Sequence, residues 1–78
     1  APVAEQALEA RELAEAIDRF LRTLPERECS IFLRRYWYVD SVQSIAARYA
    51  IKENTAKSIL FRTREKLRRY LAGEGIIV

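Results

Sequence analysis

Residues that break helices are rare in this chain and lie near its two ends or at one internal position. The glycines are Gly73 and Gly75, and the prolines are Pro2 and Pro25. Because glycine and proline are the strongest local breakers of regular structure, the long segment 26–72 can be helical wherever its apolar residues recur at three- and four-residue spacing. This pattern predicts an all-α fold that lacks the strands of a wing.

The first half of the chain carries the signals of two helices. A stripe of apolar residues predicts the first helix over about 4–24. The members of the stripe are Ala10, Leu13, Ala14, Ile17, Phe20, Leu21 and Leu24. Pro25 is suited to the first position of a helix, and Glu26 and Glu28 follow it where the helix dipole favours negative charge. A second helix is therefore expected over about 25–37.

Two further helices follow, separated by a short turn. Ser41 can cap a third helix over about 42–49, because its hydroxyl can accept a hydrogen bond from a free amide of the first turn. A fourth helix is predicted over about 53–71 and ended by Gly73. Its buried stripe is expected to be Ala56, Leu60, Thr63 and Leu67. The four helices are predicted to form a single domain over residues 1–78.

The composition argues against catalysis. The chain has no histidine and one cysteine, Cys29, which excludes nucleophile–histidine pairs, metal sites of cysteine and histidine, and an internal disulfide. We expect no enzymatic activity, no cofactor and no metal, with Cys29 as a structural residue, buried or half-buried. The apolar runs are too short to span a membrane and no export signal is present, so a cytoplasmic location without a membrane partner is expected.

The charges are distributed unevenly. Residues 1–28 carry seven acidic and four basic side chains, whereas residues 29–78 carry four acidic and ten basic ones. A basic half with its charges clustered along one helix indicates an anionic partner such as nucleic acid. The third helix, the turn and the fourth helix have the arrangement of a helix-turn-helix, in which the second helix enters the major groove of DNA.

The outer face of the fourth helix offers the candidate DNA-binding residues. They are Lys52, Asn54, Thr55, Lys57, Ser58, Phe61, Arg62 and Arg64. Basic side chains can pair with phosphates or guanine, asparagine can bind adenine, and hydroxyls can bind either phosphate or base. The ring of Phe61 can touch a thymine methyl group, although it could instead pack on a neighbouring helix or on another domain.

Several short stretches, at characteristic distances, resemble the region-four domain of extracytoplasmic-function sigma factors. They are LPERE at 24–28, FLRRY at 32–36, Ser41 with Ile45 and Ala46, and NTAKSILFRTR at 54–64 followed by Lys66 and Leu67. The resemblance covers about residues 10–72. It implies a bacterial transcription initiation domain that binds double-stranded promoter DNA at the −35 element in the major groove, with Lys57, Ser58, Phe61 and Arg62 approaching the DNA.

The resemblance also implies protein partners. Such domains dock on the flap of the RNA polymerase β subunit and are covered by anti-sigma factors, so these are the expected partners of a domain that is itself expected to be a monomer. The promoter-opening domain of such proteins is not part of this sequence, and we therefore expect the chain to be a fragment of a longer protein.

Three positions depart from the family pattern. Ala50 stands where a glycine is usual in the turn, and a positive φ there would cost about 1 kcal/mol relative to glycine. Lys52 replaces a frequent capping serine, with a loss of about 1 kcal/mol, although its charge could meet a phosphate. Ile59 stands where many relatives carry arginine, which predicts the loss of one contact with the DNA backbone.

Two other interpretations of the sequence remain open. The similar domain of two-component response regulators shares the acidic start and the spacing of the motif, but the long fourth helix argues against it. A helical protein-docking module is the other alternative, since the first two helices carry Phe20, Leu24, Trp37 and Tyr38 and would offer an apolar groove to a partner helix. We expect Trp37 to belong to the core.

Overall fold

The computed structural model describes residues 4–76 of the chain and contains four helices. These are α1 (Ala4–Thr23), α2 (Glu26–Tyr36), α3 (Val42–Arg48) and α4 (Glu53–Gly73). No strand occurs within the described residues. The prediction of an all-α fold is confirmed, and each predicted helix is present with ends that differ by one or two residues.

The ends of the helices follow from local chemistry. Pro25 lies one position before α2, as its N-cap, rather than inside it. Ser41 caps α3 as predicted, because its hydroxyl accepts a hydrogen bond from the amide of Ser44 at 3.0 Å. Lys52 holds the corresponding position before α4 and makes no side-chain cap, which confirms that the capping bond is missing there.

The predicted role of Gly73 as the glycine that terminates α4 is taken by Gly75. Gly73 is the last residue of the helix, whereas Gly75 adopts a φ of 80°. The amide of Gly75 then bonds the carbonyl of Ala72 at 3.0 Å, and the amide of Ile76 bonds that of Leu71 at 2.8 Å. This pair of bonds is the Schellman arrangement, which needs a left-handed residue two positions after the last helical one and is therefore satisfied by Gly75.

The core lies where α2 and α3 pack on α4. Its buried members are Ile31, Ile45, Ala46, Ala56, Ile59 and Leu60, with Val42, Tyr49 and Ile51 half-buried against them. A hydrogen bond between the hydroxyls of Ser30 and Tyr49 ties α2 to the end of α3. Because α4 contacts all three other helices, the orientation of α4 is fixed by the whole fold.

The first helix packs on the C-terminal half of α4. The rings of Phe20 and Tyr70 lie 5.5 Å apart, and Arg19 pairs with Glu74 at 3.3 Å. Hydrogen bonds from Arg19 to Tyr70 and to Glu74 raise the pKa of its guanidinium above the ordinary value. Fully buried Ala16 was missing from the predicted stripe.

Two members of the predicted α1 stripe are not part of the core. Ala10 and Ala14 are exposed, while Ile17 and Leu21 are only half-buried. The physical reason is that α4 covers one flank of α1 and leaves the other flank along an open groove, which is described below.

Candidate nucleic-acid interface

The turn between α3 and α4 sets the angle at which α4 leaves the body of the domain. The amide of Ile51 bonds the carbonyl of Ala46 at 2.9 Å, and the half-buried side chain of Ile51 packs on the core. Ala50 adopts a φ of 53°, as expected for a position where glycine is usual. The turn is therefore tight and is anchored on both sides.

All eight predicted DNA-binding residues are exposed. Seven of them belong to α4, and Lys52 directly precedes it. The opposite side of α4 buries Ala56, Leu60 and Thr63 as predicted, and Leu67 is half-buried. The helical repeat therefore separates a packed side from a polar, basic side along the first three turns of α4.

Phe61 lies on the exposed side of α4. Its side chain is 57% exposed, so the alternative in which it packs on a neighbouring helix is wrong for this domain. A large aromatic ring presented between Lys57, Ser58 and Arg62 on a polar face is suited to contact with a base or a sugar.

The positive charges at the start of α4 are available to a partner. Within the described residues, Lys52, Lys57, Arg62 and Arg64 take part in no ion pair, whereas Lys66 pairs with Glu28 at 3.6 Å and Arg68 pairs with Glu65. The C-terminal half of α4 is thus partly neutralised by carboxylates. Apart from Arg69, the basic side chains of α4 that make no ion pair, together with Lys52 directly before it, therefore lie within residues 52–64, where they would attract phosphates.

Ile59 was misjudged from the sequence. The predicted buried stripe of α4 omitted this position, but Ile59 is 8% exposed and belongs to the core. The loss of a DNA contact at position 59 stays a prediction. Position 59 is three residues after Ala56 and four before Thr63, at the edge of the buried stripe, and the neighbouring helices cover α4 widely enough to include it. The hydroxyl of Thr63 is satisfied there by the carbonyl of Ile59 at 2.8 Å.

An apolar groove of about 760 Å³ runs between α1, α2 and α4. Its lining includes Ile17, Leu21, Phe32, Leu33, Trp37 and Leu67. The only predicted DNA-binding residue among the groove's described lining is Arg64. The groove and the basic face of α4 are therefore neighbouring but separate surfaces.

Trp37 is another residue whose environment was predicted wrongly from the sequence. It follows α2 and is 77% exposed, so it is not part of the core. Its indole stands at the rim of the groove because α2 ends one residue earlier and no other described element covers the loop.

Cys29 is half-buried in α2, as predicted. No group of side chains in the described part of the chain could hold a metal ion. None of its helices is both long and apolar enough to cross a membrane.

Comparison with protein families identifies the class. The family described as "Sigma-70, region 4" matches residues 20–69, which is more than half of the chain, and the chain belongs to this family. Neither a curated protein nor a solved structure matches the chain. It is thus a helix-turn-helix DNA-binding domain of a sigma factor, which acts with promoter DNA and RNA polymerase in transcription initiation and is regulatory rather than catalytic.

Proposed function

We propose that this domain recognises the −35 promoter element for a bacterial sigma factor of the extracytoplasmic-function type, with the first turns of α4 in the major groove. The observation that carries the proposal is the exposed face of α4, where unpaired basic side chains surround an exposed aromatic ring. Membership of the sigma-70 region-four family supports it over the response-regulator alternative.

The residues of this face divide by their proposed roles. Lys57 and Arg62 lie one to two turns into α4, where major-groove contacts to bases are made. Asn54 can bind adenine, and Ser58 and Thr55 can bind a base or a phosphate. Lys52 precedes the helix and Arg64 borders the groove. Both are proposed to contact phosphates, and such contacts position the helix without reading the sequence.

The test is to select a preferred sequence from a random DNA library and to measure its affinity against an unrelated duplex. Arg62→Ala and Lys57→Ala should each weaken binding to the preferred site by about 1–3 kcal/mol. They should also reduce the difference in affinity between the preferred site and the unrelated duplex. Lys52→Ala should weaken both duplexes by similar amounts. Arg11→Ala removes one exposed positive charge from α1 and serves as the control for net charge.

A result in which all of these variants select and bind DNA like the parent would exclude α4 as the recognition helix. Equal weakening by Arg11→Ala and Arg62→Ala would mean that only overall charge matters, and would contradict sequence recognition by this face.

A second function, docking on RNA polymerase, is favoured by the apolar groove between α1, α2 and α4. We propose that the groove receives an apolar helix of the β-subunit flap, and that an anti-sigma factor would act by covering the same groove. The domain is proposed to bind both partners as a monomer, without enzymatic activity, in the cytoplasm, where bacterial DNA and polymerase are found. Trp37→Ala should lower affinity for core polymerase and leave affinity for DNA unchanged.

A further inference from the structure

The loop between α2 and α3 exposes three consecutive large apolar side chains. Trp37, Tyr38 and Val39 are 77%, 62% and 76% exposed. Single exposed apolar residues are common on protein surfaces, but a contiguous group of them marks an interaction site more often than chance packing. Trp37 and Tyr38 also line the apolar groove, so the loop forms one wall of it.

The backbone of this loop is strained at its tip. Val39 has a φ of 58°, a conformation that is a genuine outlier for a β-branched residue. A strained residue persists only where the surrounding structure holds it, and such residues gather at binding and switching sites. Among the described residues, the other non-glycine residue with a positive φ is Ala50, which lies in the turn before α4 and has an evident structural task there.

Arg34 and Asp40 hold the two ends of the loop together. The guanidinium of Arg34 lies 3.7 Å from the carboxylate of Asp40 and 5.1 Å from the ring centroid of Tyr38. The amide of Asp40 donates to the carbonyl of Arg34 at 2.9 Å, and Arg35 donates to the carbonyl of Asp40 at 3.1 Å. We call this set of contacts the loop clasp. The ion pair within it is half-buried, so it is screened less than a fully exposed one.

We infer that Arg34 and Asp40 are positioning residues that preorganise Trp37–Val39 as a rigid wall of the groove for docking on core RNA polymerase. The inference rests on the proposed docking function of the groove. A wall that is already ordered loses little conformational freedom on binding, which raises affinity without any new contact. Polymerase is the occupant because sigma region four acts with it. The groove also borders the basic face of α4 only through Arg64 among the described residues, and so leaves the rest of that face free for DNA.

Glycine substitutions test the role of strain. Val39→Gly relieves the positive φ and frees the loop, so we expect an unchanged or higher Tm together with about tenfold weaker binding to purified core polymerase. Ala50→Gly relieves the same kind of strain in the other turn and should raise Tm while leaving polymerase affinity unchanged. Val39→Ala removes most of the side chain but keeps the backbone restricted, and should bind within about twofold of the parent.

A double-mutant cycle tests the clasp. Asp40→Ala should weaken polymerase binding several-fold while affinity for DNA stays the same, and it should have little further effect in a Trp37→Ala background, because the clasp acts through the position of that ring. A purely structural role of Asp40 would instead weaken DNA and polymerase binding together, and by the same factor in both backgrounds.

The outcomes distinguish a failure of this inference from a failure of the proposed docking function of the groove. If Trp37→Ala binds core polymerase like the parent, the groove is not the docking surface and both fail. If Trp37→Ala weakens binding but Val39→Gly and Asp40→Ala do not, docking stands and the inference is overturned. Equal weakening by Val39→Ala and Val39→Gly would show that Val39 acts by direct contact rather than through loop rigidity, and would also overturn it.

Discussion

At the scale of single residues, exposure separates side chains that stabilise the fold from those that are free to meet a partner. Phe61 and Ile59 are two positions apart on α4, yet Phe61 is 57% exposed and Ile59 is 8% exposed. A helix turns by about 100° per residue, so two apolar neighbours at this spacing cannot share one face. The two residues therefore belong to different surfaces, and their substitution should have different consequences.

Phe61→Ala is predicted to leave thermal stability within about 0.5 kcal/mol of the parent, since the ring contributes little to the core. It should reduce the preference for the selected promoter site over an unrelated duplex, because the contact to a thymine methyl or a sugar is lost. Thermal unfolding by circular dichroism and competition binding check the two expectations.

The matched control is Ile59→Ala, which should cost about 2–5 kcal/mol of stability through a core cavity. A large loss of stability in Phe61→Ala would contradict the assignment.

At the scale of elements, the start of α4 combines a strained turn with a missing cap. Ala50 has a φ of 53°, and the side chain of Lys52 makes no capping bond. Both features lower the stability of the helix-turn-helix relative to a sequence with glycine and serine at these positions. Substitutions here should therefore raise stability, which is the uncommon direction for a point change.

Ala50→Gly is predicted to stabilise the domain by about 1 kcal/mol, because glycine adopts a left-handed conformation without the steric penalty of a side chain. For a domain of this size the gain corresponds to a Tm increase of about 4–8 °C. Ala47→Gly in the exposed side of α3 is the control, since glycine inside a helix should cost about 1 kcal/mol. A decrease in Tm for both variants would show that the turn does not store strain.

Lys52→Ser is predicted to raise stability and lower DNA affinity together. A serine in this position can accept a bond from a free amide of the first turn of α4, with a gain of about 1 kcal/mol, while the loss of the lysine charge should weaken all duplexes alike. Ser41→Ala removes the existing cap of α3 and should lose about 1 kcal/mol without affecting sequence preference. If Lys52→Ser lowers affinity only for the preferred site, Lys52 reads bases rather than phosphates.

At the scale of the whole molecule, the acidic and basic side chains are unevenly distributed. The net charge is +3, but the excess of basic residues lies in the second half of the chain and is unneutralised at the start of α4. The basic face of α4 and the apolar groove lie on neighbouring surfaces. Apart from Arg64, the proposed DNA-binding face and the proposed docking groove therefore share none of the described residues.

The affinity of the domain for DNA is predicted to fall steeply with salt. If Lys52 and Arg64, the two proposed phosphate contacts, each neutralise one phosphate, the slope of log K against log salt should be about −2. Titrations between low and moderate salt measure the slope, and Lys52→Ala should make it shallower by about one. A slope near zero would remove the electrostatic contribution that the charge distribution predicts.

The sequence by itself determined the local features of this protein. Because glycine and proline occur only near the chain ends and at position 25, the rest of the chain was predicted to form four helices. The spacing of the apolar residues predicted which side of the first turns of α4 faces outwards, because helix geometry alone relates spacing to direction. Ser41, Ala50 and Lys52 were also predicted correctly, since caps and turns depend on adjacent residues. The candidate DNA-binding face could therefore be drawn before any tertiary contact was known.

The tertiary structure decided which apolar surfaces are covered. Trp37, Ile59 and Ala14 are all apolar and all helical or next to a helix, and the sequence placed Trp37 in the core, Ile59 outside it and Ala14 on a packed stripe. Their burial depends on where the neighbouring helices cross, which is a property of long-range packing and not of local period. The open groove exists for the same reason, since α1, α2 and α4 line it without closing it.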